Sequence, residues 1–196
     1  MFDIILPYFG LWAFVILMVG TPGPANLLAM SAGAAYGFRA TIRFMAGLIF
    51  GKVFVNLLIA FGFGAFLVSA PVAATIFSFA SAAYLCYLAL RGWHVGTTNT
   101  KPVVAMGFAQ GLIVHPLNPK AWVMASLAYS QFIIGFESVF ERYALAAISF
   151  FVAQLVFHSL WCWLGALFKT QLGASPLLNR SLIIITIAVV IWALAQ

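Results

Sequence analysis

Two prolines and two glycines interrupt an apolar segment near the start of the chain, in the stretch Leu17-Met18-Val19-Gly20-Thr21-Pro22-Gly23-Pro24-Ala25-Asn26. The surrounding segment, from Ile4 to Phe38, contains no Asp, Glu, Lys or Arg. A proline inside a helix removes a backbone donor and clashes with the carbonyl group four residues earlier. Two prolines this close together therefore predict that a membrane helix opens here by a full turn.

A second stretch of the same kind lies in the other half of the chain, Ile113-Val114-His115-Pro116-Leu117-Asn118-Pro119-Lys120-Ala121. Pro24 and Pro119 are 95 residues apart, close to half of the 196 residues. Unwound backbone at membrane depth is tolerated only inside protein or beside a water-filled cavity. Either break alone is explained equally well by a kinked helix without a site. Two breaks in matching places favour a binding site between them.

The composition is that of a membrane protein. Sixty-five per cent of the residues are hydrophobic and 6% are charged, whereas an average soluble domain is about a quarter charged. A soluble fold of this size could not bury so much apolar surface. The same numbers exclude a disordered chain, a coiled coil and a secreted disulfide scaffold.

A membrane-spanning helix needs about 20 apolar residues. The uncharged stretches between Gly-, Pro- and polar-rich loops then predict an all-α integral membrane protein with six transmembrane helices, at roughly 5–34, 42–68, 72–91, 103–135, 143–168 and 178–196. Residues 1–97 and 98–196 would each hold three spans of one membrane domain. Because three is odd, the two repeats must be inverted in the membrane, with spans one and four broken by the proline motifs. Paired broken helices in inverted repeats are typical of secondary transporters.

The basic residues predict the orientation. The loops after spans one, three and five hold six of them, Arg39, Arg43, Arg91, Lys101, Lys169 and Arg180, whereas the other face has Arg142 beside Glu137 and Glu141. The positive-inside rule makes the first set cytoplasmic, which puts both termini outside. The net charge of +6 then reflects topology, and membrane lipid rather than nucleic acid is the expected partner.

The chemistry of the breaks favours a zwitterionic substrate. The free N–H groups of the half-helices that begin at Pro24 and Pro119 favour an anion, and carbonyls freed at Gly20, Thr21 and His115 favour a cation. A small amino acid presents both charges. The predicted substrate-binding residues are Thr21, Pro22, Gly23, Pro24, Asn26, Lys52, Asn118, Pro119 and Lys120.

No carboxylate is available inside a span for proton coupling. Coupling would have to use His115, His158, Lys52 or the substrate itself, although a satisfied core histidine is the simpler interpretation of His158. Lys52 is predicted near the midplane, facing either the cavity or, by snorkelling, the membrane surface. The scattered cysteines and histidines predict no metal site and no cofactor.

Three glycine pairs have the spacing that lets helices pack closely, Gly33/Gly37, Gly47/Gly51 and Gly107/Gly111. The second pair flanks the turn of Lys52 and is expected to bring span two against a broken helix. Such glycine faces could also pack two copies of the chain together, so a homodimer remains an alternative to a monomer.

At these residues the sequence resembles the LysE/RhtB family of amino-acid efflux proteins, over nearly the whole chain. The motifs that carry the resemblance are Thr21-Pro22-Gly23-Pro24, Gly37-Phe38-Arg39, Arg43, Ala46-Gly47, Gly51, Ala83-Tyr84-Leu85, Leu117-Asn118-Pro119-Lys120-Ala121 and Gln131-Phe132. The pattern is most similar to the cysteine/O-acetylserine exporter branch. The resemblance implies an exporter of amino acids or derivatives in the cell inner membrane, driven by the proton gradient as an antiporter.

The chain departs from the family pattern at three places. Lys52 stands where members often have an acidic residue, Ser130 where proline is usual, and Phe79–Ala82 where Lys-Xaa-Xaa-Gly is usual. A positive site would repel lysine or arginine, so neutral substrates of the cysteine/O-acetylserine or homoserine/threonine kind are favoured.

The resulting prediction is an alternating-access exporter and not an enzyme. A passive channel or a membrane structural subunit is the first alternative. An intramembrane enzyme is less favoured, because the sequence shows no nucleophile–base pair and no metal cluster.

Overall fold

The computed structural model describes residues 2–62, 69, 71–91, 93, 105–132, 138–172 and 176–194, and all regular structure in these ranges is helical. The helices are α1 (Phe2–Gly20), α2 (Pro24–Tyr36), α3 (Phe38–Ala60), α4 (Pro71–Leu90), α5 (Phe108–Val114), α6 (Pro119–Leu127), α7 (Val139–Leu172) and α8 (Pro176–Leu194). A π-helical turn at Ala128–Phe132 extends α6. The all-helical prediction is confirmed for the described residues.

Several predicted features fall outside the described residues. They are the loops at 96–102, 135–137 and 173–175, the end of span two at 63–68, the two ends of span four at 103–104 and 133–135, and the side chains of Lys101, Arg142 and Lys169.

The first predicted break is present. The helix ends at Gly20 and begins again at Pro24, and α1 and α2 meet at an angle of 51° between residues 8–20 and 24–36. Pro24 occupies the first turn of α2, where its missing N–H removes no helical hydrogen bond.

The second predicted break is also present. Helix α5 ends at Val114, residues 115–117 form a turn, and α6 begins at Pro119. Asn118 precedes α6 in an extended conformation, and its side-chain oxygen accepts a hydrogen bond from the Lys120 backbone N–H at 3.1 Å. Each proline stretch therefore interrupts a helix, and a new helix begins at its last proline, Pro24 or Pro119.

Two described helices are long and apolar enough to cross a membrane, Phe38–Ala60 and Tyr143–Phe168, and the bent pair of α1 and α2 could form a third span. The apolar stretches Thr75–Leu90 in α4 and Asn179–Ala193 in α8 are shorter. Six spans in two inverted repeats stay a prediction. Helix α7, with 34 residues, is about 50 Å long at 1.5 Å per residue, which exceeds the predicted span.

Helix α2 lies at the centre of the molecule. Twelve of its 13 residues are buried, and it packs against α3, α7 and α8. The helices around α2 expose large apolar side chains such as Phe50, Phe54 and Val156 on their outward faces, while polar side chains such as Asn26 and His158 are buried. This polarity suits a protein whose surroundings are lipid.

Glycines set the distance between the central helices. A Cβ at Gly33 on α2 would collide with the carbonyl oxygen of Cys162 on α7. A Cβ at Gly47 or Gly51 on α3 would collide with the backbone of α5, which confirms that span two packs against a broken helix. Gly37 differs from the prediction, because its φ of 85° turns the chain from α2 into α3 and nothing would contact its Cβ.

Candidate functional site

The two unwound segments meet through Lys120. Its ammonium nitrogen Nζ donates to the Thr21 hydroxyl at 2.8 Å and lies 3.3 Å from the Thr21 carbonyl oxygen. The side chain passes over Gly23, where a Cβ would come within 3.2 Å of the Lys120 Cδ. A cation from the start of α6 thus rests on a carbonyl freed by the first break.

Side chains already occupy the other carbonyls of the first break. The amide nitrogen of Asn26 donates to the Val19 carbonyl at 2.7 Å and to the Thr21 carbonyl at 3.0 Å. The indole N–H of Trp161 donates to the Gly20 carbonyl at 3.2 Å. Buried backbone acceptors are costly to leave unpaired, so the protein satisfies those that the prolines released. At the second break, the His115 carbonyl likewise accepts from the Asn118 N–H at 3.0 Å.

Asn26 begins a buried hydrogen-bonded chain through two histidines. Because its amide nitrogen donates to two carbonyls, its Oδ1 must face His158, whose Nδ1 lies 2.8 Å away. Oδ1 only accepts, so His158 Nδ1 carries the proton. The Nε2 atoms of His158 and His115 are 3.2 Å apart, and in the neutral pair His115 then donates from Nε2.

His115 Nδ1 is left as an acceptor in this chain. It is buried and has no hydrogen-bond partner within the part of the chain that the structure describes. The lone pair of this nitrogen therefore has no described donor at the second break.

A small polar cavity lies between the breaks. Its volume is about 20 Å³, which holds about one water molecule and is too small for an amino acid. Six predicted residues line this central cavity, namely Gly23, Asn26, His115, Asn118, Lys120 and His158. Apolar side chains, including Met18, Val19 and Met124, form other parts of its wall.

A larger cavity lies beside the starts of both half-helices. Its volume is about 390 Å³, and Pro24 and Pro119 both contribute to its lining, together with mostly apolar residues of α4, α6 and α8. The first residues of the two half-helices therefore share one cavity. Pro22 is exposed at the first break.

Lys52 neither lines the central cavity nor snorkels. It is 1% exposed, its Nζ donates to the Ala121 carbonyl at 2.7 Å, and it lies 4.2 Å from the centre of the Phe150 ring. Lys52 ties α3 to the first turn of α6, against α7.

Gln154 on α7 was missed by the sequence reasoning. It lines the central cavity, is 1% exposed, and lies one turn before His158 on the same helix face. Gln154 lies in an uncharged span away from both proline motifs, so neither a charge nor a break marks it in the sequence. Its position four residues from a buried histidine was the available signal.

The chain matches known translocators. The family model described as "LysE type translocator" matches residues 15–196. Proteins named "Cysteine/O-acetylserine efflux protein" from Escherichia coli strain K12, Shigella flexneri serotype 5b and Shigella sonnei strain Ss046 are each 38% identical over 90 residues. That match covers 46% of this chain and 45% of each relative, so the chain spans about half the length of the relatives it matches. No solved structure matches the chain.

Proposed function

This chain belongs to the family of LysE type translocators, and from that membership we propose that it is a secondary transporter that exports small neutral amino acids or their derivatives across the cell inner membrane. The observation that carries the proposal is the meeting of two unwound segments at a polar cavity among apolar helices, as expected for a transporter site. The names of its relatives favour substrates of the cysteine/O-acetylserine kind, and homoserine or threonine has similar chemistry.

Substrate binding is proposed to replace a contact that the protein makes with itself. The substrate carboxylate binds the Lys120 ammonium and the N–H groups at the starts of α2 and α6. The substrate ammonium takes the place of Lys120 on the Thr21 carbonyl, which accepts Lys120 Nζ at 3.3 Å when no substrate is bound. A zwitterion therefore replaces one charge-assisted contact with two, one for each of its own charges.

Alternating access requires the central cavity to widen. With a volume of about 20 Å³, the central cavity is closed to an amino acid, and the Lys120–Thr21 hydrogen bond of 2.8 Å holds the breaks together. If the two breaks separate toward the cytoplasmic face, substrate can enter the cavity. If they then separate toward the opposite face, substrate can leave. The larger cavity that adjoins Pro24 and Pro119 offers space into which the half-helices can move.

Coupling to the proton gradient is proposed to use the chain of Asn26, His158 and His115. An added proton would bind His115 Nδ1, in a cavity that Lys120 also lines. Positive charge on His115 would repel the ammonium group of Lys120. Proton binding and substrate binding would then favour different states, as an antiporter requires.

The topology proposed for this activity is six spans in two inverted repeats, residues 1–97 and 98–196, with both termini outside. A broken helix, a long helix and an apolar helix follow one another in each half, as α1–α2, α3 and α4, and then as α5–α6, α7 and α8. Membrane lipid surrounds this unit, and the exposed apolar side chains of the helices around α2 suit that contact.

Counterflow in proteoliposomes tests the function. Vesicles loaded with an unlabelled amino acid are expected to accumulate the labelled one faster than empty vesicles, across a panel of cysteine, O-acetylserine, homoserine, threonine and lysine. A channel gives no such stimulation, and an enzyme returns a chemically altered product. Absence of stimulation by every neutral member of the panel would overturn the proposal.

A further inference from the structure

The carboxamide of Gln154 has no protein partner at the place where substrate is proposed to bind. Both its nitrogen and its oxygen are buried without a hydrogen bond to any described residue, and the side chain lines the central cavity. A buried amide that remains unpaired is costly, because it has given up its hydrogen bonds with water without replacing them. Such a group in a native cavity therefore points to a ligand or ordered water.

Three neighbouring polar side chains of the central cavity are already engaged. The amide of Asn26 pairs with two carbonyls and a histidine, Asn118 caps α6, and Lys120 binds Thr21. Gln154 differs from these three, because both of its hydrogen-bonding atoms are available at once. It also lies on α7, apart from the two breaks that would hold the carboxylate and the ammonium.

We propose that Gln154 binds the side chain of the substrate and selects small amino acids with a hydroxyl, thiol or ester group over apolar amino acids of the same size. The inference rests on the proposed function and adds a specificity residue to it. A carboxamide can donate to and accept from a hydroxyl group, or donate to an ester carbonyl. The apolar wall formed by Met18, Val19 and Met124 suits the carbon atoms of such a side chain.

An apolar side chain of the same size would leave the Gln154 amide unpaired in the loaded state. Sites built to hydrogen-bond a hydroxyl reject the analogue that lacks it far more strongly than apolar pockets reject an added methylene. Threonine and valine have nearly the same shape and differ by this group. Their transport ratio therefore reports on Gln154 directly.

The test is the ratio of threonine to valine transport in proteoliposomes, with serine and alanine as a second pair. The wild-type protein should prefer threonine by at least about tenfold. Gln154→Met, which keeps the length and removes the polar atoms, should lower the ratio to near one, mainly by slowing threonine. Ser149→Ala is the matched control, because Ser149 is also buried and unpartnered in the described part of α7 but does not line the central cavity.

The outcomes separate this inference from the proposed function. A wild-type protein that transports no amino acid overturns both. A wild-type preference that survives unchanged in Gln154→Met overturns the role of Gln154 alone and leaves water as its partner. If Gln154→Met does not fold, the wild-type protein in detergent should be stabilised against heat by threonine and not by valine, and equal effects would overturn the inference.

Discussion

At the scale of single residues, buried Lys52 and half-buried Lys120 have opposite relations to the breaks. Lys120 lines the central cavity and binds Thr21, whereas Lys52 does not line it and binds a carbonyl of α6. Both were predicted to bind substrate, Lys52 from its depth near the midplane and Lys120 from its place at the start of the second half-helix. Their surroundings distinguish a residue that can meet substrate from one that holds two helices together.

Replacement of these lysines should therefore have different effects. Lys120→Met removes the cation proposed to bind the substrate carboxylate, and counterflow should fall at least about tenfold, as for the loss of a charged hydrogen bond. Lys52→Met removes a buried cation that has no carboxylate partner among the described residues, and such changes are often neutral or stabilising. Counterflow and thermal unfolding, measured at equal membrane levels, compare the two variants.

Two results would contradict these roles of the lysines. Normal counterflow by Lys120→Met would remove this residue from the substrate site. Complete loss by a folded Lys52→Met protein would assign the transport role to Lys52 instead.

The histidine pair makes a separate prediction. In His115→Gln no ring nitrogen at position 115 can take up a proton, so an inward proton gradient should no longer accelerate export. Counterflow without a gradient should persist, since it requires only substrate exchange. The two rates are measured on the same vesicles, and a gradient effect that persists in full would exclude His115 as the proton site.

At the scale of helices, the prolines determine where the breaks occur, and local hydrogen bonds determine how the breaks are stabilised. Asn118 was predicted to contact substrate, yet its side chain accepts the Lys120 backbone N–H and begins α6. An Asn directly before a proline at the first helical position is a typical N-cap arrangement. The cap orients the backbone that the substrate carboxylate is proposed to meet.

Substitutions at Asn118 should separate capping from substrate contact. Asn118→Ala should lower the free energy of unfolding by about 1 kcal/mol, whereas Asn118→Ser, which can cap, should remain near the wild type. If capping is the main role, counterflow in Asn118→Ser should also remain near normal. A Ser variant that is stable but inactive would instead support direct contact between Asn118 and substrate.

Helix packing gives a second prediction at this scale. Gly33→Ala places a methyl group against the Cys162 carbonyl and should destabilise the protein by about 1–3 kcal/mol through overpacking. Gly10→Ala on α1 is the matched control, because its Cβ would make an ordinary contact of 3.6 Å with Phe132 and alanine favours a helix. The thermal midpoint in detergent should fall for Gly33→Ala and not for Gly10→Ala. Equal midpoints would show that α2 and α7 can separate without loss of stability.

At the scale of the whole molecule, the positions of the helix breaks could be predicted from the sequence, whereas the contacts between distant side chains could not. Both breaks were predicted from proline, because its backbone restriction acts locally. The contact of Lys120 with Thr21, the occupied carbonyls at Val19 and Gly20, and the place of Gln154 depend on how distant segments pack. These contacts cannot be predicted from a single sequence, because they form only once the fold has brought distant segments together.

The topology is tested with reporter fusions. A periplasmic reporter fused after Gln196 should be active, and a cytoplasmic reporter at the same place should be inactive, because the loops rich in Arg and Lys are predicted to stay inside. A fusion near Arg39 is the internal control and should give the opposite pattern. Cytoplasmic activity at Gln196 would reverse the orientation or change the number of spans.

The Lys120–Thr21 hydrogen bond also bears on net transport. In the proposed cycle the Lys120 ammonium fills the place of the substrate ammonium, so the protein would close without an amino acid bound. The return step would then need a proton but no second amino acid. Such a cycle gives net efflux, whereas a protein that closes only around an amino acid gives one-for-one exchange.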